Sequence, residues 1–275
     1  AIYEYGTMGN ITGDFIGNYT SSGNSSQGGA IGNKYGTIGD IIGDFIGNYA
    51  LGDNEASGGT IRNNSFSTIG NITGNFIGNY TSSGNLSQGG AIGNHGTIGN
   101  ITGNFLNNYA KSNSGDVWGG AVYTTSNMTF SSGSDVHFMS GNYTQDPIRD
   151  KVYNAVYGVN VPVITFDTTG GGVWVINDNM ENGNYVFKGS DVIDTATGTT
   201  TQYIAINNDI VNAEKITVDG TTLRFGSYQH EDRTAKNWDS KGAFVASLNE
   251  DGTANRDAAA VTSLSLNNAV FDIAN

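Results

Sequence analysis

The residues most able to do chemistry in this chain are its 3 histidines and its 25 acidic side chains. Polysaccharide lyases and hydrolases need clustered carboxylates with a basic residue nearby. Asp14, Asp40 and Asp44 recur in a repeated part of the sequence, but the matching places further along hold Asn75, Asn71 and Asn104. Exchange of Asp for Asn at matched places indicates a structural role at corners of the chain rather than acid–base catalysis.

The sequence patterns that could indicate a metal site or a catalytic nucleophile are weak. His95, His137 and His230 are scattered without ligand spacing. The sequence has no nucleophile elbow and no phosphate-binding loop with a lysine, and the absence of Cys excludes thiol chemistry. The oxygen-rich runs Asn177–Asn184 and Asp251–Asp257 do not follow the order of ligands in an EF-hand, which leaves only weak Ca²⁺ binding open. We predict no catalytic, cofactor-binding or metal-binding residues and no enzyme activity.

The elements that carry these residues are repeats of about 30 residues. One motif is GGAIGN and its diverged forms, at Gly28–Asn33, Gly58–Asn63, Gly89–Asn94 and Gly119–Thr124. A second motif, FIGN or FLNN, keeps step with it at Phe15–Asn18, Phe45–Asn48, Phe76–Asn79 and Phe105–Asn108. A fixed period of this length is typical of a solenoid, in which each unit buries its apolar face only against its neighbours.

A shorter rhythm inside each repeat favours strands. Thr68–Asn79 reads TIGN–ITGN–FIGN, which does not match the spacing of a helix but suits short strands bent at Gly and Asn corners. We assign three strands to one rung, at Ala30–Asn33, Thr37–Ile42 and Phe45–Tyr49, and interpret the polar segment after each tyrosine, such as Thr81–Gln88, as a protruding loop. The predicted fold is an all-β, right-handed parallel β-helix with about 30 residues per rung in the N-terminal half.

Stacking of rungs in register places equivalent side chains in columns. The predicted core columns are Phe15, Phe45, Phe76 and Phe105; Ile31, Ile61, Ile92 and Val122; and Met8, Ile38, Ile69 and Ile98. Corner or ladder asparagines are Asn18, Asn48, Asn79 and Asn108, which can hydrogen-bond from rung to rung. A candidate binding stripe is Tyr19, Tyr49, Tyr80 and Tyr109, which could stack on sugar rings if exposed or cap the core if buried. Ice binding by the column Thr7, Thr37, Thr68 and Thr97 is disfavoured, because the companion positions are Ile.

Composition narrows the class of protein. The net charge of −13 argues against nucleic acid as a partner, because a phosphate backbone would be repelled. High Gly with only 2 Pro excludes collagen and a Pro-rich linker. No stretch is long and apolar enough to cross a membrane as a helix, and we expect the chain to be a fragment of a longer protein.

Two regions differ along the chain. Residues 1–125 hold the regular GGAI and FxxN rungs, and residues 126–275 are expected to be a diverged continuation of the same β-helix with longer loops. Strands are predicted there at Val161–Asp167, Val173–Asn177, Tyr185–Phe187, Tyr203–Asn207, Lys215–Val218, Thr222–Phe225 and Ser263–Leu266. Asp232–Asp239 and Asp251–Val261 are interpreted as loops, with a short helical turn at Arg256–Ala260.

The paired GGA[IV] and FxxN motifs resemble the chlamydial-type polymorphic membrane proteins, which are autotransporter-class proteins. The resemblance covers about 120 residues, and the second half is similar to a generic autotransporter passenger. It implies an exported protein of the extracellular bacterial cell surface, associated with the outer membrane and adhesin-like, whose partner is a host or neighbouring cell-surface protein or glycan. The chain departs from the family in having no C-terminal β-barrel and no Cys. Alternatives are a filament subunit that self-associates end to end and, second, a carbohydrate-active lyase or hydrolase.

Overall fold

The protein folds as a parallel β-solenoid. The computed structural model describes residues 1–148, 151–190, 202–225, 244–245, 247–248, 254–255 and 261–273. All regular secondary structure in these residues is β-strand, and the chain makes about 7 turns of about 30 residues. The predicted all-β parallel β-helix is therefore confirmed, while its right-handed winding stays a prediction.

One N-terminal coil contains six short strands rather than the three that we predicted. In the second coil they are Ile31–Asn33, Thr37–Ile38, Ile41–Ile42, Phe45–Ile46, Tyr49–Gly52 and Glu55–Ser57. We call these strand positions one to six. Gly and Asn residues separate them, because these residues adopt the corner conformations at least cost.

Successive coils repeat these positions in register. Position one comprises Ile2–Glu4, Ile31–Asn33, Ile61–Asn63, Ile92–Asn94, Val122–Thr124, Val152–Gly158, Asn179–Lys188, Ile210–Asp219 and Phe244–Val245. Position two comprises Thr7–Met8, Thr37–Ile38, Thr68–Ile69 and Thr97–Ile98. Position three comprises Ile11–Thr12, Ile41–Ile42, Ile72–Thr73, Asn100–Thr102, Met128–Ser131, Val163–Asp167, the second halves of Asn179–Lys188 and Ile210–Asp219, and Val261–Asn267.

The remaining positions complete each coil. Position four comprises Phe15–Ile16, Phe45–Ile46, Phe76–Ile77, Phe105–Leu106, Val136–Ser140, Val173–Ile176, Tyr203–Ile206, Thr222–Phe225 and Val270–Ile273. Position five comprises Tyr19–Ser22, Tyr49–Gly52, Tyr80–Ser83, Tyr109–Ser112 and Tyr143–Gln145. Position six comprises Ser25–Gln27, Glu55–Ser57, Leu86–Gln88 and Val117–Trp118. A separate antiparallel pair joins Ser247–Leu248 to Ala254–Asn255.

The interpretation of Thr81–Gln88 as a protruding loop is wrong. Tyr80–Ser83 and Leu86–Gln88 are strands of the coil, and Thr81 and Ser87 are fully buried. Ser87 Oγ donates to the carbonyl of Lys111 at 2.6 Å, so its hydroxyl is satisfied inside the coil. Small hydroxyl side chains fill this narrow part of the interior, and their polar sequence therefore does not indicate a surface loop.

The core is a set of apolar columns. Phe45, Phe76 and Phe105 are fully buried, and neighbouring rings lie 4.5 Å and 4.6 Å apart between centroids. The other predicted columns are also buried, namely Ile31, Ile61, Ile92 and Val122, and Ile38, Ile69 and Ile98. Phe15 and Met8 are only partly buried, because they lie in the first coil, which is covered on one side.

The double glycine of the GGAIGN motif has two separate physical causes. The first glycine has a positive φ in each copy, as in Gly58 at 62° and Gly89 at 60°, where residues with a Cβ are strained. The second glycine leaves no room for a Cβ, since one built on Gly90 would lie 2.2 Å from the carbonyl oxygen of Gly120 and 2.4 Å from that of Tyr109. The first glycine is also sterically required, since a Cβ on Gly89 would lie 2.0 Å from the carbonyl oxygen of Ile92, whereas the second glycine is required by close packing alone.

The second half of the chain keeps the solenoid with fewer, longer strands. Positions two and six have no strand after Thr97–Ile98 and Val117–Trp118 in the described residues. Each strand predicted there either lies inside an observed strand or has ends within two residues of it. The strands Val136–Ser140 and Val152–Gly158 were not predicted. His230 and the predicted turn Arg256–Ala260 lie outside the described residues.

Candidate functional site

The four predicted corner asparagines form a continuous hydrogen-bonded column, which Asn142, a residue that was not predicted, extends by one coil. We call this column the asparagine ladder: Asn18, Asn48, Asn79, Asn108 and Asn142. Asn79 Oδ1 accepts from the backbone N–H and the Nδ2 of Asn48, at 2.8 Å and 3.0 Å. Asn79 Nδ2 donates to Asn108 Oδ1 at 3.0 Å and to the carbonyl of Phe45 at 2.9 Å. Each buried amide is thereby satisfied, and the ladder holds the corner that precedes each tyrosine.

The asparagine ladder ends at a carboxylate. Asn142 donates from its backbone N–H and from Nδ2 to Asp178 Oδ2, at 2.9 Å and 2.8 Å. The backbone N–H of Gly141 donates to Asp178 Oδ1 at 3.0 Å. Asp178 is 1% exposed, so three N–H groups replace much of the hydration that its charge loses on burial.

The acidic residues considered for catalysis hold corners instead. Asp14 Oδ1 accepts the backbone N–H of Asp44 at 2.8 Å, and Asp44 Oδ1 accepts that of Asn75 at 2.8 Å. Asp40 Oδ1 likewise accepts the backbone N–H of Asn71 at 2.7 Å. An asparagine oxygen makes the same contact equally well, which explains the exchange of Asp for Asn between coils.

The histidines and the oxygen-rich runs do not form a metal centre in the part of the chain that the structure describes. That part holds no group of three or more His, Asp or Glu side chains suited to a metal ion. His95 follows position one, whereas His137 lies in position four and its Nε2 is 3.1 Å from the carbonyl oxygen of Ser132. In the run Asn177–Asn184, the oxygens of Asn177 and Asn179 accept from Asn207 and Asp209. Most of Asp251–Asp257 lies outside the described residues.

The four tyrosines of the predicted stripe form a stack of parallel rings, which Tyr143, a residue that was not predicted, extends by one coil. We call this stack the tyrosine ladder: Tyr19, Tyr49, Tyr80, Tyr109 and Tyr143. Neighbouring ring centroids lie 5.1, 4.9, 4.8 and 5.0 Å apart, with interplanar angles of 8° or less. The faces of the inner rings are therefore covered by other rings, and Lys151 Nζ lies 4.4 Å above the Tyr143 centroid. Sugars cannot stack on the inner rings, and the ladder presents their edges and hydroxyl groups to solvent.

Burial raises the pKa of Tyr80, Tyr109 and Tyr143, so these three hydroxyl groups stay neutral well above physiological pH. Partial burial, and then the neighbouring Tyr80 and Tyr143, raise the pKa of Tyr109 to about 12. Burial and the neighbouring ring of Tyr49 likewise raise the pKa of Tyr80. These hydroxyl groups therefore offer hydrogen-bond donors and acceptors without charge. A half-exposed row of Ile46, Ile77 and Leu106 precedes it on the other side of the asparagine corner.

Sequence reasoning missed a second row of aromatic residues, which we call the aromatic corner: Tyr5, Tyr35, Phe66 and His95. They lie between positions one and two of the first four coils, each two residues before an outward-facing threonine of position two. Tyr5, Tyr35 and Phe66 are 57%, 61% and 94% exposed. The signal that could have found them is the recurrence of YGT, YGT, FST and HGT in phase with the repeat.

A cleft of about 540 Å³ extends from the aromatic corner toward the fifth coil. It is lined by Phe66, Ser67, Thr68, His95, Gly96, Thr97, Ser126 and Asn127. Burial, and then the charge of Arg62, lower the pKa of His95 to about 4, so its ring is neutral at physiological pH. Its Nδ1 lies 3.2 Å from Thr125 Oγ1.

Comparison with protein families, with curated proteins and with solved structures finds no match to this chain. Across the described residues, no helix has the length and apolar character that crossing a membrane requires.

Proposed function

We propose that this protein is an exported, surface-displayed binding or scaffold protein of the adhesin type. Its partner is a protein or glycan on a host or neighbouring cell, and it carries out no chemical reaction. The resemblance of the GGAI and FxxN motifs to autotransporter passengers motivates the export and the location outside the cell.

The observation that carries the proposal is the regular repetition of outward-facing side chains. The tyrosine ladder places equivalent groups every 4.8 to 5.1 Å across five coils. A rigid array of this kind can make many equivalent weak contacts with an extended partner at once, and such contacts add up to avidity. The carboxylates nearest to a catalytic arrangement are occupied in corner hydrogen bonds, which supports binding over turnover.

The test is saturable binding of the purified, fluorescently labelled chain to a panel of bacterial and epithelial cells. We expect binding that saturates, that excess unlabelled chain displaces, and that leaves the partner chemically unchanged. The matched control is Phe76→Asp. It places a charge in the core and unfolds the solenoid, while the amino-acid composition stays almost the same. Absence of saturable binding to every cell type, equal binding by the control, or release of cleavage products from a polysaccharide panel would each contradict the proposal.

End-to-end association is a second candidate, and the first coil favours it. In this chain, Ile2–Glu4 and Phe15–Ile16 pair with the second coil on one side only, and Ile2, Met8, Ile11 and Phe15 are partly exposed. A strand row with unpaired N–H and C=O groups can add a further coil from a second copy. Light scattering and electron microscopy decide it: filaments that lengthen with concentration support self-association, and a monodisperse monomer at all concentrations rules it out.

A further inference from the structure

The aromatic corner differs from the tyrosine ladder in leaving its ring faces open. Tyr5 and Tyr35 are tilted by 44° with centroids 6.4 Å apart, so neither ring covers the other. Phe66 makes no ring contact with Tyr35 or His95 among the ring contacts of the described residues and is 94% exposed. Three exposed rings in the first three coils are thus available to a ligand that runs along the solenoid axis. Tyr35 and Phe66 are the most open, since Tyr5 also contacts the ring of Tyr3, and the partly buried His95 contacts that of Tyr123.

Phe66 occupies its place at a conformational cost. Its φ is 66°, in the left-handed region that bulky residues rarely adopt. It is the third residue of a turn in which the backbone N–H of Ser67 donates to the carbonyl of Asn64 at 3.1 Å, a place that normally holds Gly or Asn. An apolar ring that is strained and almost fully exposed stabilises nothing within the chain, which points to a role in contacting a partner.

Uncharged polar groups lie beside the rings. Thr7, Thr37, Thr68 and Thr97 pair in register and are exposed, which forms a row of hydroxyl groups spaced by one coil. Ser67, which lines the cleft, is 1% exposed, and its Oγ has no hydrogen-bond partner in the structure. His95 Nε2 is also buried without a partner. The cleft therefore combines an aromatic wall with unsatisfied or solvent-facing polar groups.

We propose that the aromatic corner and the adjoining cleft bind an uncharged glycan chain that lies parallel to the solenoid axis. The C–H face of a pyranose ring packs on the negative face of an aromatic ring, while its hydroxyl groups bond to the threonine row and to the cleft. One coil rises by about 4.8 Å, which is comparable to one sugar unit, so successive sugars meet successive coils. This inference rests on the proposed binding function and names a surface and a ligand class for it.

Charge selects among the candidate ligands. The chain carries a net charge of −13, which repels sulfated, uronic-acid or phosphate-bearing chains. Two cations lie near the corner, Lys34, whose Nζ lies 5.8 Å from the Tyr5 centroid, and the buried Arg62, whose charge acts on His95. Glu4 accepts a hydrogen bond from the backbone of Gly6. The cleft lining contains no Lys or Arg and no carboxylate, and such a surface matches a neutral sugar.

The experiment measures affinity of the full chain for neutral oligosaccharides of increasing length, namely cello-, chito- and manno-oligosaccharides, by calorimetry. Heparin and polygalacturonate serve as anionic probes. The variants are Tyr35→Ala, Phe66→Ala and their combination, and the matched control is Ile42→Ala, because Ile42 is an exposed apolar side chain of the same coil as Tyr35, 52% exposed against 61%, and lies outside both aromatic rows. Thermal unfolding of each variant verifies that the solenoid is intact.

We expect at least one neutral series to bind with an affinity that increases with chain length. Each single corner substitution then weakens binding about tenfold or more, and Ile42→Ala leaves it unchanged. Equal binding by wild type and the double variant overturns the assignment of the surface while leaving the proposed binding function intact. Cell binding without affinity for any neutral oligosaccharide, or tighter binding to heparin, overturns the ligand class. If the wild-type protein binds neither cells nor glycans, both proposals are wrong.

Discussion

Phe76 lies between Phe45 and Phe105 in the core, with stacked rings 4.5 Å and 4.6 Å away. Phe76→Ala should lower the free energy of unfolding by about 3–5 kcal/mol, because the coils above and below cannot close the space. Urea unfolding followed by circular dichroism measures the change. Asn85→Ala is the control and should cost less than about 0.5 kcal/mol, since Asn85 is exposed. Equal, small losses at both positions would contradict the assignment of the Phe column to the core.

Tyr109 gives the solenoid a dependence on alkaline pH. Its pKa is raised from 10.0 to about 12 by burial and by Tyr80 and Tyr143, so the unfolded chain loses its proton first. The stabilisation is complete below about pH 10 and declines as the pH rises through 12. We expect the unfolding midpoint in urea to fall over this range, and to fall less in Tyr109→Phe. An identical pH dependence in both proteins would show that the ladder does not perturb this hydroxyl.

At the residue scale, the sequence predicts which equivalent residues stack in successive coils better than it predicts individual side-chain contacts. The Phe and Asn columns follow from exact repetition, so their members can be identified from the order of the residues alone. Asp178 could not be found this way, because it lies in a diverged coil and only its distances to Gly141 and Asn142 reveal it as the end of the ladder. The aromatic corner was missed because its four members differ in residue type and the corner differs in length between coils.

Some corner glycines are required because a Cβ would clash, and others only because their φ is positive. Substitution by alanine distinguishes the two kinds. Gly90→Ala should prevent close packing of coils and cost more than about 3 kcal/mol, because its Cβ would lie 2.2 Å from a backbone oxygen of Gly120. Gly47→Ala should cost only about 1–2 kcal/mol, since Gly47 has φ of 60° but nothing within 4 Å of its Cβ. Thermal unfolding of both variants measures the difference, and equal losses would refute the steric explanation.

At the element scale, strands with apolar residues were predicted and strands with hydroxyl residues were not. Tyr80–Ser83 and Leu86–Gln88 were interpreted as a loop because Ser and Thr make up most of their residues. Their inward side chains are short: Ser87 Oγ donates to the carbonyl of Lys111 in the next coil at 2.6 Å and lies 3.0 Å from Ser83 Oγ. Composition alone cannot separate a polar strand in a narrow solenoid from a turn, because the difference lies in what the hydroxyl groups contact.

The whole molecule should tolerate removal of one complete coil. Deletion of residues 58–88 would bring coil two onto coil four, and Phe45 and Asn48 would then meet Phe105 and Asn108, the partners that Phe76 and Asn79 meet now. Stability in a solenoid is a sum over units and their interfaces, so the shortened chain should fold with fewer interfaces and a length reduced by about 4.8 Å.

The matched control for this deletion removes residues 58–72 and so breaks the repeat in its middle. Circular dichroism should report strand structure for the first chain and lose it for the second, and small-angle scattering measures the length. If both deletions unfold the chain, the coils are not interchangeable units.

The side-chain amides of the asparagine ladder also produce a net dipole along the solenoid axis. From Asn48 to Asn142, each Oδ1 accepts from the preceding coil. Each Nδ2 donates one N–H to the following coil and the other to a phenylalanine carbonyl of the preceding coil. The C=O groups of the amides therefore all face the same way, and their dipoles align. The partly positive end of this row meets the carboxylate of Asp178, as an anion meets the first turn of a helix. A cation in place of that carboxylate would repel the partly positive end of the asparagine ladder. The direction of the ladder's dipole along the solenoid axis is thus matched to the charge of Asp178.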